Sequence, residues 1–230
     1  MEALGKKCQV KLLAFDLDGT LVDSVPDLAW AIDAMLQELH LPTHGQAQVR
    51  KWIGSGAREL VKRALLNGAK GEPESAVFKQ AYALFLKHYA THLSHKSVAY
   101  NGVLETLKEL KASGLALACI TNKPTQFTQP LLEQLELAEF FDCVVCGDTY
   151  QHRKPHPMPL LEVAKFFNVQ ANESIMVGDS LNDIEAAHAA GFYSVCVDYG
   201  YHGEHNVHEM VADVVISDFS RLSNLLQHAA

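Results

Sequence analysis

Basic residues never run beyond a pair in this chain, and lysine with arginine number 19 against 27 aspartates and glutamates, a formal net charge of −8 over 230 residues. A surface of that sign repels phosphate backbones, so nucleic acid is not expected as a partner. Nor is there a polybasic patch to hold a membrane surface. No apolar run reaches the roughly 18 residues that a membrane span needs. The start, Met1-Glu2-Ala3-Leu4-Gly5-Lys6-Lys7-Cys8, does not read as a secretory signal. Cysteines are few and odd in number, five, without the spacing of a disulfide scaffold. Reduced thiols and a cytoplasmic location are the expectation. The 14 glycines include no Gly-x-Gly-x-x-Gly after a strand-like run, so a dinucleotide site is not supported. What is left is an ordinary globular composition, 48% hydrophobic and 20% charged, in a chain long enough for one large domain or two small ones.

Short continuous apolar runs recur along the chain, each ending in a polar turn. They are Leu12 to Phe15, Leu115 to Ile120, Cys143 to Cys146, Ile175 to Val177 and Ser194 to Val197, with Val214 to Ile216 as a sixth. Helical periodicity fills the gaps at Gly102–Ser113, Phe127–Leu137, Pro157–Phe167 and Leu181–Ala190. Continuous apolar strands alternating with amphipathic helices predict an α/β fold, a parallel sheet with helices on both faces. One gap is too long for this scheme. From Thr20 to about Tyr100 the patterns are helical throughout, at Asp27–Leu39, Ala57–Leu66 and Glu74–His92. A crossover needs only about a dozen residues or so. The stretch reads as an inserted helical subdomain whose two ends lie close together at the carboxyl edge of the first strand. The division expected is 1–22 with 97–230 as the core and 23–96 as the insert.

In open parallel sheets the active site lies beyond the carboxyl ends of the strands. Asp16, Asp18, Thr121, Asn122, Asp179 and Asp183 all follow strand-like runs, and Lys154 sits in the loop after the third. Asp16 and Asp179 at neighbouring strand ends would repel each other. A hard dication between them resolves that, and Mg²⁺ favours one or two carboxylates, water and a phosphate oxygen. Lys154 can pair with a phosphate, Thr121 offers a hydroxyl and Asn122 an amide. Such a site suits a phosphoryl group and its developing charge. Asp16 would be the nucleophile, and Asp18, in the turn, a general acid and then base. Each piece alone has a plainer explanation: a turn at Asp18-Gly19, a surface loop at Lys154-Pro155, a helix cap at Asp179 to Asp183. Their order, each at a strand end, favours the chemical reading.

Four segments, Phe15-Asp16-Leu17-Asp18-Gly19-Thr20-Leu21-Val22-Asp23-Ser24, Thr121-Asn122, Lys154-Pro155 and Gly178-Asp179-Ser180-Leu181-Asn182-Asp183, resemble in order and spacing the four motifs of the haloacid dehalogenase superfamily. The resemblance implies a Rossmann-like core with a small helical cap. It implies Asp16 as nucleophile and Mg²⁺ ligand, and Asp18 as acid/base with its backbone carbonyl on the metal. Thr121, Asn122 and Lys154 would hold the phosphoryl group. Asp179 would ligate the metal, and Asp183 would support it or orient Lys154. Asp18 argues against the dehalogenase branch, which lacks an acid there. Softer likenesses at Val22 to Leu28, Trp52 to Ala57, Arg63-Ala64-Leu65, Lys154 to Pro157 and Tyr199 to Gly203 are similar to bacterial phosphoglycolate phosphatases. They imply hydrolysis of 2-phosphoglycolate to glycolate and phosphate.

That substrate carries a carboxylate beyond its phosphate. Gly54, Ser55 and Gly56, before a helix starting near Ala57, form a candidate anion cradle, with Arg58 in the first turn. The plainer alternative is a helix–helix turn with Arg58 facing solvent. A phosphosugar mutase or another capped phosphatase or pyrophosphatase shares the core motifs, and a non-catalytic binding module is the remaining alternative. The expected partner is a small phosphate ester, with the chain as monomer or homodimer. Cys143 and Cys146, with His152 and His156 downstream, lack the spacing of a zinc site. His202, His205 and His208 are read as clustering by chance in a histidine-rich chain.

Overall fold

The structure is a computed structural model that describes residues 10–203 and 205–227; the leading segment with Cys8, Glu204 and the side chain of His208 lie outside that description. In chain order the strands are β1 (Leu12–Phe15), β2 (Val22–Asp23), β3 (Val98–Ala99), β4 (Ala116–Ile120), β5 (Cys143–Val145), β6 (Ser174–Gly178), β7 (Tyr193–Val197) and β8 (Val214–Ile216). Six of them form one parallel sheet in the order β5-β4-β1-β6-β7-β8. These are the six apolar runs of the sequence. From β1 the chain first builds outward through β4 to β5, then returns to add β6 on the other side. This reversal opens a crevice at the carboxyl ends of β4, β1 and β6.

The helices are α1 (Val25–Glu38), α2 (Gly45–Arg50), α3 (Ala57–Leu65), α4 (Ser75–Thr91), α5 (Val103–Ala112), α6 (Thr125–Gln134), α7 (Met158–Phe167), α8 (Leu181–Ala190) and α9 (Arg221–Gln227). Alternation along the strands sends successive side chains to opposite faces. Leu13, Phe15, Leu117 and Cys119 bury against Val103, Leu107 and Leu110 of α5 and Leu222 of α9. Leu12, Ala14, Ala118 and Ile120 bury against Leu160 and Val163 of α7 and Ala186 and Ala187 of α8. Both faces are therefore covered, which is why the strands read as unbroken apolar runs.

The sequence pattern did not anticipate α2, α9, β2 or β3. Six or seven residues hold too few turns to show a helical period, and a two-residue strand has none at all. Helices α1 to α4 follow β2, with α1 packed on α4 and α2, and α3 on α4. Strands β2 and β3 pair antiparallel, Val22 opposite Ala99 and Asp23 opposite Val98, and so bring the two ends of the helical stretch together. Asp27, 2% exposed, ties the returning chain to α1. Its carboxylate accepts from the backbone of Lys96 at 2.9 Å and from the backbone and hydroxyl of Ser97, both at 2.7 Å.

Tyr201 makes a second tie, at the start of α1. Its hydroxyl accepts from the backbone N–H of Ser24 at 2.8 Å and of Val25 at 3.1 Å, and donates to Asp23 Oδ1 at 2.7 Å. Helix starts leave such N–H groups without intrahelical partners. Tyr201→Phe removes their acceptor and is expected to cost about 1–3 kcal/mol in urea unfolding. An unchanged midpoint would mean that water replaces the hydroxyl.

Candidate active site

Asp16 directly follows β1, and its backbone N–H donates to Val177 of β6 at 2.9 Å. Its carboxyl is 7% exposed and lies 3.0 Å from Lys154 Nζ. Lys154 reaches the same point from the loop after β5, and its Nζ also donates to Asp183 Oδ1 at 2.6 Å and to the carbonyl of Ile120. Asp179 follows β6. The Thr20 hydroxyl donates to its Oδ1 at 2.7 Å, and the Tyr201 backbone to its Oδ2 at 2.6 Å. Gly19, at φ +92°, lets the turn lie against this carboxylate, since a Cβ there would stand 2.2 Å from Asp179 Oδ2. Asp183 is in the first turn of α8 and accepts from the Ser180 hydroxyl at 2.6 Å and the Ser180 backbone at 3.0 Å.

Asp16, Asp179 and Asp183 each present a carboxylate oxygen within 4.8 Å of the others. Burial pushes Asp16 up to about 7, with Lys154 pulling it down and Asp183 adding to the rise. Burial, then Asp183 and Asp16, also lift Asp179 well above the usual carboxylate range. Burial opposes the charge on Lys154, but Asp16 and Asp183 outweigh it and keep the ammonium protonated. One buried ammonium thus contacts two of three clustered buried carboxylates, Asp16 and Asp183. The surplus negative charge and an all-oxygen donor set fit a hard divalent cation.

Asp16, Asp18, Thr121, Asn122, Gly54 and Gly56 line one pocket between the sheet edge and the helical insert. Asn122 is committed to holding that junction. Its Nδ2 donates to the carbonyl of Lys154 at 2.9 Å and of Gly54 at 3.1 Å, while its buried Oδ1 has no hydrogen-bond partner. Asn182 donates to the same Gly54 carbonyl at 3.2 Å and to Ser55 Oγ at 3.3 Å. Ser55 faces a neighbouring groove and not this pocket. Arg58 is also outside it. Its guanidinium lies over the rings of Phe78 and Tyr82, 4.9 and 5.2 Å from their centroids. The loop Tyr199 to Gly203 braces Asp179 through Tyr201 and through His202, whose Nδ1 lies 2.7 Å from the Asp179 carbonyl. Cys143 and Cys146 are free, and the rings of His152 and His156 stack on each other.

Lys123 was missed in the sequence. It stands two residues beyond Thr121 and is 5% exposed, and its Nζ lies 3.0 and 3.1 Å from the two oxygens of Asp18. It also donates to the hydroxyl of Tyr89 on α4 at 2.6 Å. Asp18 accepts a further bond from the Ser24 hydroxyl at 2.6 Å. The one signal for Lys123 was a lysine in the turn just past a buried strand, and nothing in the pattern pointed to Tyr89.

The family model for haloacid dehalogenase-like hydrolases matches residues 13–197. A protein of Nitrosococcus oceani named phosphoglycolate phosphatase is 43% identical over 96% of this chain and 99% of its own length. One of the same name from Pseudomonas syringae pv. tomato is 46% identical over 92% of this chain and 78% of its own. The crystal structure of a predicted phosphoglycolate phosphatase from Haemophilus somnus superposes with a TM-score of 0.90 at 37% identity, covering 96% of this chain and 99% of that one. No helix among the described residues is long and apolar enough to cross a membrane.

Proposed function

The chain belongs to the haloacid dehalogenase-like hydrolases, and from that premise we propose that it hydrolyses 2-phosphoglycolate to glycolate and phosphate through a phosphorylated Asp16. The observation that carries the chemistry is the buried contact of Asp16 with Lys154, beside Asp179 and Asp183, at adjacent strand ends. The names of the relatives support the substrate.

In this reading a carboxylate oxygen of Asp16 attacks phosphorus, and the ester oxygen leaves as glycolate, taking a proton from Asp18. An acyl phosphate remains on Asp16. Asp18 then takes a proton from water, whose oxygen attacks phosphorus, and phosphate leaves with Asp16 restored. Lys154 and the Thr121 hydroxyl meet the charge that develops on the phosphoryl oxygens. Asn122 holds the Gly54 loop and the Lys154 backbone in register around the pocket. Asp16, Asp179 and the Asp18 carbonyl would hold Mg²⁺, which supplies positive charge next to the phosphoryl group when bound. Asp183 orients Lys154: its two oxygens already accept from Lys154 and Ser180. Residues 23–96 act as the cap that closes over the substrate, excludes bulk water and opens for release. The four free cysteines among the described residues suit a reducing, cytoplasmic location.

The test is phosphate release from a panel of small phosphate esters and pyrophosphate with Mg²⁺, beside an EDTA control. A preference for 2-phosphoglycolate that EDTA abolishes is the expected result. Preference for another ester or for pyrophosphate would discard the substrate and keep the chemistry. Isomerisation of a sugar phosphate without net phosphate release would establish a mutase instead.

A further inference from the structure

If the substrate is a phosphorylated hydroxy acid, as proposed above, two anions enter the pocket and each needs a cationic or hydrogen-bonding receptor. Lys154 is enclosed at the phosphoryl end by Asp16, Asp183 and the Ile120 carbonyl. Arg58 lies on aromatic rings outside the pocket. Arg50 donates to the carbonyls of Tyr199 and Gly200. Among the described residues, the cationic side chain that lines the pocket is Lys123. Around it the walls are largely apolar, with Leu28, Ile53, Leu60, Phe85 and Phe127 contributing. In such surroundings an ammonium attracts a carboxylate far more strongly than it does in water.

We propose that Lys123 is the specificity-determining residue of this site, its Nζ receiving the substrate carboxylate together with the Tyr89 hydroxyl. The hydrogen bonding permits it. One ammonium has three N–H groups. One is directed to Tyr89, and the other two reach both oxygens of the same Asp18 carboxylate at 3.0 and 3.1 Å. A single bond keeps that pair together, so one N–H can turn to an incoming carboxylate without leaving Asp18 unpaired. Tyr89 accepts from Lys123, which leaves its own proton to donate to the same anion. Lys123 comes from the loop after β4 and Tyr89 from α4, so sheet and insert recognise the substrate jointly. A neutral tail of the same length leaves both groups unrewarded, which disfavours an uncharged ester.

The experiment compares kcat/KM for 2-phosphoglycolate and for ethyl phosphate, which has a methyl where the first has a carboxylate. Wild type, Lys123→Met and Tyr89→Phe are measured with Mg²⁺. Because Lys123 also contacts Asp18, both rates fall in Lys123→Met, and the readout is the ratio between them. Comparing ratios across variants cancels the different leaving groups. The expected result is a fall in the preference for 2-phosphoglycolate of about 30-fold or more in Lys123→Met and several-fold in Tyr89→Phe. A ratio unchanged in both variants, with the wild-type preference intact, overturns the role of Lys123 and leaves the substrate standing. A wild type with no such preference overturns both. Tyr89→Phe retains the Lys123–Asp18 pair, so it still decides the matter should Lys123→Met fail to fold.

Discussion

Asp16→Asn is expected to lower phosphate release from 2-phosphoglycolate by about 10⁴-fold or more at saturating Mg²⁺. An amide of the same shape fills the space but has no charge with which to attack phosphorus. Residual activity within about tenfold of wild type would exclude Asp16 as the nucleophile. The same substitution has an effect on stability that does not depend on turnover. Unfolded, Asp16 gives up its proton near the ordinary value of 3.8, whereas folded and metal-free it holds it up to about 7, because of burial first and Asp183 next. Between those values the folded state binds more protons, so this group makes stability fall as pH rises. The asparagine variant lacks that contribution. In EDTA it is expected to melt above wild type at pH 8, with the gap narrowing toward pH 5. Parallel melting curves at both pH values would show that the carboxylate carries no such penalty.

Lys154→Met has the second large effect, chiefly on the fold. The side chain is 1% exposed, and Met keeps its bulk while removing the one ammonium that faces Asp16 and Asp183. Breaking a buried ion pair from one side costs about 3–5 kcal/mol, since the remaining charges stay buried without compensation. Unfolding in guanidinium without metal should show that loss. Mg²⁺ should raise the melting temperature of the variant more than that of wild type, because a dication restores part of the missing positive charge. Turnover is expected to fall by about 10³-fold, the scale seen when one electrostatic stabiliser of a developing negative charge is removed. A variant as stable as wild type in EDTA would show that the three carboxylates do not depend on Lys154.

The two substitutions act in opposite directions on the same charge imbalance. Asp16→Asn reduces the surplus of buried negative charge, and Lys154→Met increases it. Their contrast in EDTA therefore reports on electrostatics, apart from whichever step limits turnover. Asp183, whose oxygens accept from Lys154 and Ser180, connects this centre to the start of α8.

Much of this protein was legible before any coordinates. Six strands buried on both faces must be nearly continuous apolar runs, so Leu12 to Phe15 and Ile175 to Val177 announced themselves and each pointed to the acid that follows. The helical excess between Thr20 and Tyr100 was legible too, as a period of 3.6 where a strand should have come, and α1 to α4 occupy that stretch. Such signals are local, carried by neighbours along the chain. What tertiary structure alone decided is pairing at long range: Lys123 with Asp18 across 105 residues, Tyr201 with Ser24 across 177, and Asn122 with Gly54 across 68. It also turned Arg58 away from the pocket and onto Phe78 and Tyr82, which no spacing within the insert could foretell. Periodicity shows which face of an element is buried. Which charge ends up opposite which carboxylate depends on how separate elements pack, and a single sequence does not record that.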